Sequence, residues 1–178
     1  MRIVAGWMEG VRQVPTPFFN ARKKPLDISL IVIHGISLPP GIFGGHYIDD
    51  LFTGTLDKNA DPYFEAIYKL EVSTHLFINR QGIITQYVSF LDRAWHAGRS
   101  SYNGEAECND FSVGIELEGT DFEAYTEKQY QSLNAAVKAL RRTYPQIQNR
   151  IAGHSDIAPG RKTDPGPFFD FSKLSPNF

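Results

Sequence analysis

The stretch Ser29-Leu30-Ile31-Val32-Ile33 decides the fold, because it is a short apolar run rich in β-branched residues. Such a run without polar alternation is typical of a central strand that is buried on both faces. His34 follows the run directly, and residues 39–45 are rich in proline and glycine. We therefore expect the chain to leave a central strand through an irregular loop, with a histidine at the strand's C-terminal end.

The next segments predict short helices followed by a hairpin. Tyr47 to Phe52 and Pro62 to Leu70 have the composition of short helices on an excursion from the sheet. Thr74 to Asn79 and Ile83 to Val88 are strand-like runs on either side of Arg80-Gln81-Gly82. Two such runs around a short turn that contains glycine indicate a β-hairpin.

The last third of the chain predicts two strands and one long helix. Apolar and polar residues alternate from Phe111 to Glu118, which is typical of a strand. Thr126 and Gln129 form a capping box before an amphipathic pattern that ends near Pro145. Ile151-Ala152 is a further short strand. Together these elements predict an α/β fold with a mixed central β-sheet flanked by helices.

Length and composition predict a single globular domain that spans residues 1–178. Hydrophobic residues make up 42% and charged residues 21% of the chain, and the net charge of −2 argues against a nucleic-acid partner. No apolar run is long enough to span a bilayer, and the N-terminus lacks a signal-peptide pattern. We expect a cytoplasmic monomer that does not bind membranes. The one cysteine, Cys108, has no evident base partner and is not a candidate nucleophile.

The segment from Gly153 to Pro167 brings a histidine, a lysine and an aspartate together in one proline-rich loop. Imidazole and carboxylate groups are zinc ligands, and a nearby ammonium group can stabilise developing negative charge. Each residue also has a plain structural interpretation. His154 could be a buried core histidine, Lys162 a solvated surface cation, and Asp164 the first residue of a type II turn with Pro165 and Gly166.

These residues make chemical sense together if His34, His154 and Asp164 bind one zinc ion. Three protein ligands leave a fourth position open for water, as in catalytic zinc sites. Glu116 would then be the general base, and Lys162 would stabilise an oxyanion. The reaction class is amide hydrolysis without a covalent intermediate. The alternative for Glu116, on the polar face of its strand, is that it faces water; Gly114 on that face indicates that something packs closely there.

Several long motifs are similar to those of one enzyme family. The chain resembles the AmpD-type anhydro-N-acetylmuramyl-L-alanine amidases of the zinc amidase and peptidoglycan-recognition superfamily, from Gly6 to about Phe171. The motifs that carry the resemblance are His34-Gly35-Ile36-Ser37-Leu38-Pro39-Pro40-Gly41, Ala94-Trp95-His96-Ala97-Gly98, the run from Cys108 to Asp121, and the loop from Gly153 to Pro167.

The resemblance implies an enzyme of cell-wall recycling that cuts the amide between the muramyl lactyl group and L-alanine of anhydromuropeptides. Such an enzyme lowers the muropeptide signal for β-lactamase induction in some bacteria. The resemblance also implies zinc at His34, His154 and Asp164, with Glu116 and Lys162 in catalysis. It implies substrate contacts at Trp95, His96, Leu117, Ala158 and Arg161.

The chain departs from the family pattern where the stem peptide is expected to bind. Gly35 stands where the family often has asparagine, and acidic residues stand where members carry arginine. The acidic positions are Glu71, Glu105 and Glu107. Their negative charge does not suit the carboxylates of a stem peptide, which leaves Arg99 and Arg161 as candidate substitutes.

Two other functions fit the same motifs. One is an amidase that acts on intact peptidoglycan, of phage or envelope type. The other is a muropeptide-binding module without zinc, although all five chemical positions are present here. In any of these cases, we expect residues 39–70 to form a movable cover over the cleft.

Overall fold

The computed structural model describes residues 1–24 and 26–174. The strands are β1 (Ile3–Val4), β2 (Trp7–Met8), β3 (Arg12–Gln13), β4 (Phe19–Ala21), β5 (Leu30–Ile36), β6 (Leu76–Ile78), β7 (Ile84–Gln86), β8 (Asp92–Ala94), β9 (Ser101–Tyr102), β10 (Glu105–Ala106), β11 (Ser112–Glu118) and β12 (Ile151–Gly153). The helices are α1 (Tyr47–Thr53), α2 (Glu127–Thr143) and α3 (His154–Ile157).

A six-stranded mixed sheet with the order β12-β5-β11-β6-β7-β3 forms the centre of the fold. β12, β5, β11 and β6 are mutually parallel, whereas β6 and β7 form the antiparallel hairpin expected from the sequence. β5 contains the apolar run from Leu30 to Ile33 and lies between β12 and β11. The predicted mixed sheet with helices packed against it is confirmed. That one domain spans residues 1–178 stays a prediction.

The register of the three parallel strands places polar residues next to one another. Glu116 on β11 lies opposite His34 on β5, and Gly153 on β12 lies opposite Ile33. His154 follows Gly153 directly and begins α3. Because carboxyl ends of parallel strands meet at one edge of a sheet, residues from three distant parts of the chain converge there.

One face of the sheet packs against α2 and forms the main core. Val113, Ile115 and Leu117 of β11 share this core with Leu133 and Leu140 of α2. The predicted capping box is present, since the Thr126 side chain accepts from the Gln129 N–H and the Gln129 side chain accepts from the Thr126 N–H. α2 ends before Pro145, as expected.

The segment between β5 and β6, which the sequence predicts to be a surface excursion, packs its apolar side chains in a buried cluster. α1 buries Ile48, Leu51 and Phe52 in a second apolar cluster. The predicted helix from Pro62 to Leu70 is wrong in extent, because only a 3₁₀ turn over Pro62–Ala66 forms. The turn follows an Asp61 cap and ends where Ile67 leaves helical geometry (φ −123°, ψ −15°).

Within the described residues, no helix is both long and apolar enough to cross a membrane.

Candidate active site

His34, His154 and Asp164 converge at the C-terminal edge of the sheet. The Nδ1 atoms of the two histidines are 2.9 Å apart. Oδ2 of Asp164 lies 3.0 Å from Nδ1 of His154 and 3.3 Å from Nδ1 of His34. The three potential ligand atoms all lie within 4.8 Å of one another, so they can hold one metal ion. The three residues expected to be zinc ligands are thus brought together.

The contacts behind His154 favour the form of the ring that binds a metal. Its Nε2 atom lies 3.1 Å from the carbonyl oxygen of Ala97. A carbonyl can only accept a hydrogen bond, so Nε2 carries the proton and Nδ1 presents its lone pair to the ligand group. Burial lowers the pKa of His34 to about 4, despite a hydrogen bond with Asp164 that raises it. His34 is therefore neutral at pH 7, as a metal ligand must be.

The loop after α3 holds Asp164 beside His154. The Ser155 N–H donates to the Asp164 carbonyl at 2.9 Å, and the Tyr125 hydroxyl donates to the Pro165 carbonyl at 2.9 Å. Burial alone would raise the pKa of the Asp164 carboxyl. Hydrogen bonds and charge interactions with the two histidines outweigh burial and keep that pKa well below its ordinary value. Asp164 is therefore an anion in the site.

Glu116 lies next to the ligand group and has the environment of a proton carrier. Its Oε1 atom is 4.0 Å from Nδ1 of His34, and its side chain is 13% exposed. Burial and the nearby Asp164 carboxylate raise its pKa well above the ordinary value, while Lys162 opposes the shift. The buried Oε2 atom has no hydrogen-bond partner within the described structure. Burying a carboxylate oxygen without a hydrogen-bond partner costs free energy, so a donor group on a ligand in the cleft would stabilise it.

The ligand group opens into a cleft of about 700 Å³. Glu116, His154, Lys162 and Asp164 form the polar side of its lining. The apolar side of the lining comes from the segment between β5 and β6. Its members are Leu38, Leu51, Phe52, Tyr63, Ile67, Leu70 and Val72. Part of the segment 39–70 therefore does line the cleft, while its predicted motion stays a prediction.

Comparison with known proteins identifies the family. A model of the N-acetylmuramoyl-L-alanine amidases (Amidase_2) matches residues 24–167. The chain belongs to this family. The predicted enzyme class, an N-acetylmuramoyl-L-alanine amidase, is confirmed with it.

Individual relatives confirm the resemblance to the AmpD type and the activity on muropeptides. The 1,6-anhydro-N-acetylmuramyl-L-alanine amidase AmpD of Citrobacter freundii is 57% identical over 98% of this chain and 93% of its own length. A crystal structure of a selenomethionine derivative of AmpD has a TM-score of 0.96 at 56% identity, covering 98% of this chain and 97% of that chain. A complex of the amidase AmiD of Escherichia coli with anhydro-N-acetylmuramic acid-L-Ala-D-γ-Glu-L-Lys has a TM-score of 0.62 at 27% identity, covering 87% and 59%.

Two of the expected substrate contacts do line the cleft of the amidase. Trp95 is partly exposed there, with its ring stacked on Phe18 at 6.3 Å and its Nε1–H donated to Asn20 at 2.6 Å. Arg161 also lines the cleft, but its Nη2 donates to the carbonyls of Ala97 (2.6 Å) and Arg99 (2.8 Å). The guanidinium therefore already holds the loop beside His154.

Two other expected contacts, Leu117 and Ala158, need correction, while the contact at His96 stays a prediction. Leu117 is 1% exposed and packs in the main core, because its neighbour Glu116 takes the alternate face of β11. Ala158 is 5% exposed and does not line the cleft; its carbonyl accepts from the N–H groups of Arg161 and Lys162. His96 lines the cleft but is only 9% exposed, and both of its ring nitrogens contact protein atoms.

The polar face of β11 is covered, so the interpretation that it faces water is wrong. Glu118 is 2% exposed, and its carboxylate accepts from the N–H groups of Gly44 (2.5 Å) and Arg80 (2.9 Å). At Gly114, an added Cβ would lie 2.4 Å from Cγ of His96. The close packing predicted at Gly114 is thus present, and its partner is the His96 ring.

The residues that depart from the family pattern lie at different distances from the cleft. At Gly35, an added Cβ would lie 2.4 Å from the Tyr125 hydroxyl, so glycine leaves room for the group that holds Pro165. Glu71 lies between two residues of the cleft wall. Glu105 and Glu107 line a separate cavity of about 250 Å³ and not the cleft, and Glu107 is 3.5 Å from Arg93.

The sequence patterns did not predict the residues that hold the backbone of the site in place by hydrogen bonds. Asn109 accepts from the N–H groups of His96 and Ala97, and Tyr125 donates to Pro165. Neither residue belongs to a local spacing pattern, since both act on segments that are distant in the chain. Asn109 does lie within one of the motifs that carry the family resemblance, which was the available signal.

Proposed function

We propose that the protein is a zinc-dependent amidase that cleaves the bond between the lactyl group of an anhydro-N-acetylmuramyl unit and L-alanine. The observation that carries this proposal is the convergence of His34, His154 and Asp164 beside Glu116. Two imidazoles and one carboxylate are a donor set of catalytic zinc sites, with a further position left for water or substrate. Zinc bound there would acidify water and polarise the substrate carbonyl.

Glu116 is the proposed general base and acid. Its pKa lies above the ordinary value, which makes the carboxylate a stronger base, and its partnerless Oε2 atom is available to accept a proton. After attack on the amide, the same carboxyl would deliver the proton to the leaving amine of L-alanine. One side chain can thus serve both halves of the hydrolysis without forming a covalent bond to the substrate.

Lys162 is the proposed group for stabilising the developing oxyanion. It lines the cleft on the same side as Glu116 and lowers the pKa of that carboxyl by its charge. Trp95 and Arg161 are the proposed substrate contacts, since both lie at the cleft surface. The apolar side of the cleft suits the carbon skeleton of a sugar or of alanine.

The substrate class is supported by relatives. The names of AmpD proteins specify a 1,6-anhydro-N-acetylmuramyl substrate, and the AmiD structure holds an anhydromuramyl tripeptide. Mass spectrometry of products from defined muropeptides, with and without a chelator, tests the proposal. We expect release of peptide from anhydromuramyl tripeptide, loss of activity with chelator, and recovery with zinc.

Two results would point elsewhere. Preferential release of peptide from intact peptidoglycan would indicate the wall-lytic function, and absence of zinc together with absence of activity would indicate a binding module. A cytoplasmic location and a monomeric state stay predictions.

A further inference from the structure

His34 and His154 differ in the hydrogen-bond partner of Nε2, the ring nitrogen that points away from the proposed metal. Behind His154 the partner of Nε2 is a backbone carbonyl, which fixes the ring's tautomer. Behind His34 the partner of Nε2 is Nδ1 of His96, at 2.9 Å. An imidazole nitrogen can either donate or accept a hydrogen bond, so this contact fixes the tautomer of His34 only if His96 itself is fixed.

The surroundings of His96 hold its ring in one place. The backbone N–H of His96 donates to Oδ1 of Asn109 at 3.1 Å. Its Nε2 atom lies 3.2 Å from the hydroxyl oxygen of Ser112, a fully buried residue at the start of β11. The ring packs over Gly114, where any side chain would collide with it. The ring is thus bounded by β11 on one side and by His34 on the other.

We propose that His96 is a positioning residue for the metal ligand His34. In the metal-loaded protein its Nδ1 accepts the Nε2–H of His34, which leaves Nδ1 of His34 unprotonated and directed at the metal. Nε2–H of His96 is then donated to the Ser112 hydroxyl. Gly114 provides the space that the ring needs. This inference rests on the proposed zinc site, and it replaces the substrate contact that the family resemblance implied for His96.

Two substitutions of similar size separate the positioning role from simple packing. In His96→Asn the side-chain oxygen takes the place of Nδ1 and can still accept from His34. In His96→Gln the polar group takes the place of Nε2 and the acceptor for His34 is lost. We expect the zinc dissociation constant to rise about tenfold to hundredfold in His96→Gln, and by less than about threefold in His96→Asn.

The measurement is a titration of metal-stripped protein with zinc against a chromophoric chelator, with urea unfolding of each metal-free variant as the control for packing. Gly114→Ala should weaken zinc binding in the same direction as His96→Gln, because it displaces the ring. Equal zinc affinity in His96→Gln and wild type would overturn the proposal. Equal weakening in both His96 variants, in step with their loss of metal-free stability, would reduce His96 to a packing residue.

A measurement on the unaltered protein keeps the test independent of folding defects. In zinc-loaded wild type, ¹⁵N shifts of the imidazoles should show His34 protonated at Nε2 and His96 protonated at Nε2 alone. A proton on Nδ1 of His96 would contradict the proposal, because two N–H groups cannot share the 2.9 Å contact. If the wild type does not bind zinc, the proposed metal site fails; if it binds zinc with His96 protonated at Nδ1, only the positioning role fails.

Discussion

The two sides of the cleft are built by different means. On one side, Glu116, His154 and Asp164 lie at ends of parallel strands or in the adjoining loop, within a network of hydrogen bonds. On the other side, apolar residues such as Leu51 and Leu70 come from a segment with its own apolar cluster. The polar side therefore requires particular atoms at particular distances, whereas the apolar side requires shape and surface. Substitutions on the two sides should have different consequences.

The largest effect should come from removing a ligand on the polar side. We expect Asp164→Ala to lose bound zinc and to lower turnover by about 10⁴-fold or more, because most of the acceleration depends on the metal site. Metal analysis and product assays measure both quantities. The matched control is Asp156→Asn in the preceding helix α3, since the Asp156 side chain accepts from the Gly153 N–H and can still do so as an amide. Zinc retained in Asp164→Ala would show that the ligand set is wrong.

The next effect should separate chemistry from metal binding. We expect Glu116→Gln to retain zinc but to lower kcat by about 10²-fold to 10⁴-fold, because the amide cannot carry the proton. Steady-state kinetics and metal content measure this. Glu118→Gln on the same strand is the control for loss of a buried carboxylate, since its amide can accept from only one of the Gly44 and Arg80 N–H groups and, as in Glu116→Gln, cannot carry the proton. Similar losses of kcat in both variants would remove the special role of Glu116.

A smaller effect should appear in the stability of the metal-free protein. The pKa of Glu116 is raised in the folded state, so ionising it costs folding free energy as the pH rises above the ordinary value of 4.5. We expect metal-free Glu116→Gln to be more stable than wild type at pH 7 by about 1–2 kcal/mol. The difference should vanish below pH 4.5, where the carboxyl is neutral in both states. Urea unfolding at both pH values measures it, and a wild type that is the more stable at pH 7 would contradict the prediction.

The smallest effect should come from the apolar wall. Leu70 lines the cleft and is 46% exposed. We expect Leu70→Ser to raise KM about threefold to tenfold while zinc content and kcat change little, because only apolar contact with the substrate is lost. Leu26→Ser, at a residue that is 74% exposed and does not line the cleft, is the control. A fall in kcat as large as that in Glu116→Gln would contradict the assignment of catalysis to the polar side and of substrate binding to the apolar side.

The strands that build the polar side could be predicted because their patterns are local. The apolar run before His34 and the alternation before Glu118 indicate strands without knowledge of their partners. That His34 and His154 touch, although 120 positions apart, depends on the register of β12 and β11 against β5, which no local pattern records. Motif resemblance supplied the ligand set where spacing alone left core histidines and a turn as alternatives.

The errors have a common physical origin. Leu117 and Ala158 were expected to contact the substrate but are buried, and the alternative that the polar face of β11 faces water fails at Glu118, whose carboxylate holds backbone groups. Each error concerns the face to which a side chain points, which tertiary packing decides. The helix over Pro62 to Leu70 shortened to a single 3₁₀ turn, whose Phe64 packs in the apolar cluster with α1.

The pairing of Glu116 with His34 across β11 and β5 also determines where the chain can change length. One residue inserted within either strand would turn every following side chain to the opposite face and separate the carboxylate from the imidazole. Residues added after Ile36, where the chain leaves the sheet, would leave that pairing intact. Insertions and deletions during divergence should therefore collect in the loop at 39–45, where the wall that faces the substrate begins, and spare the strands that carry the chemistry.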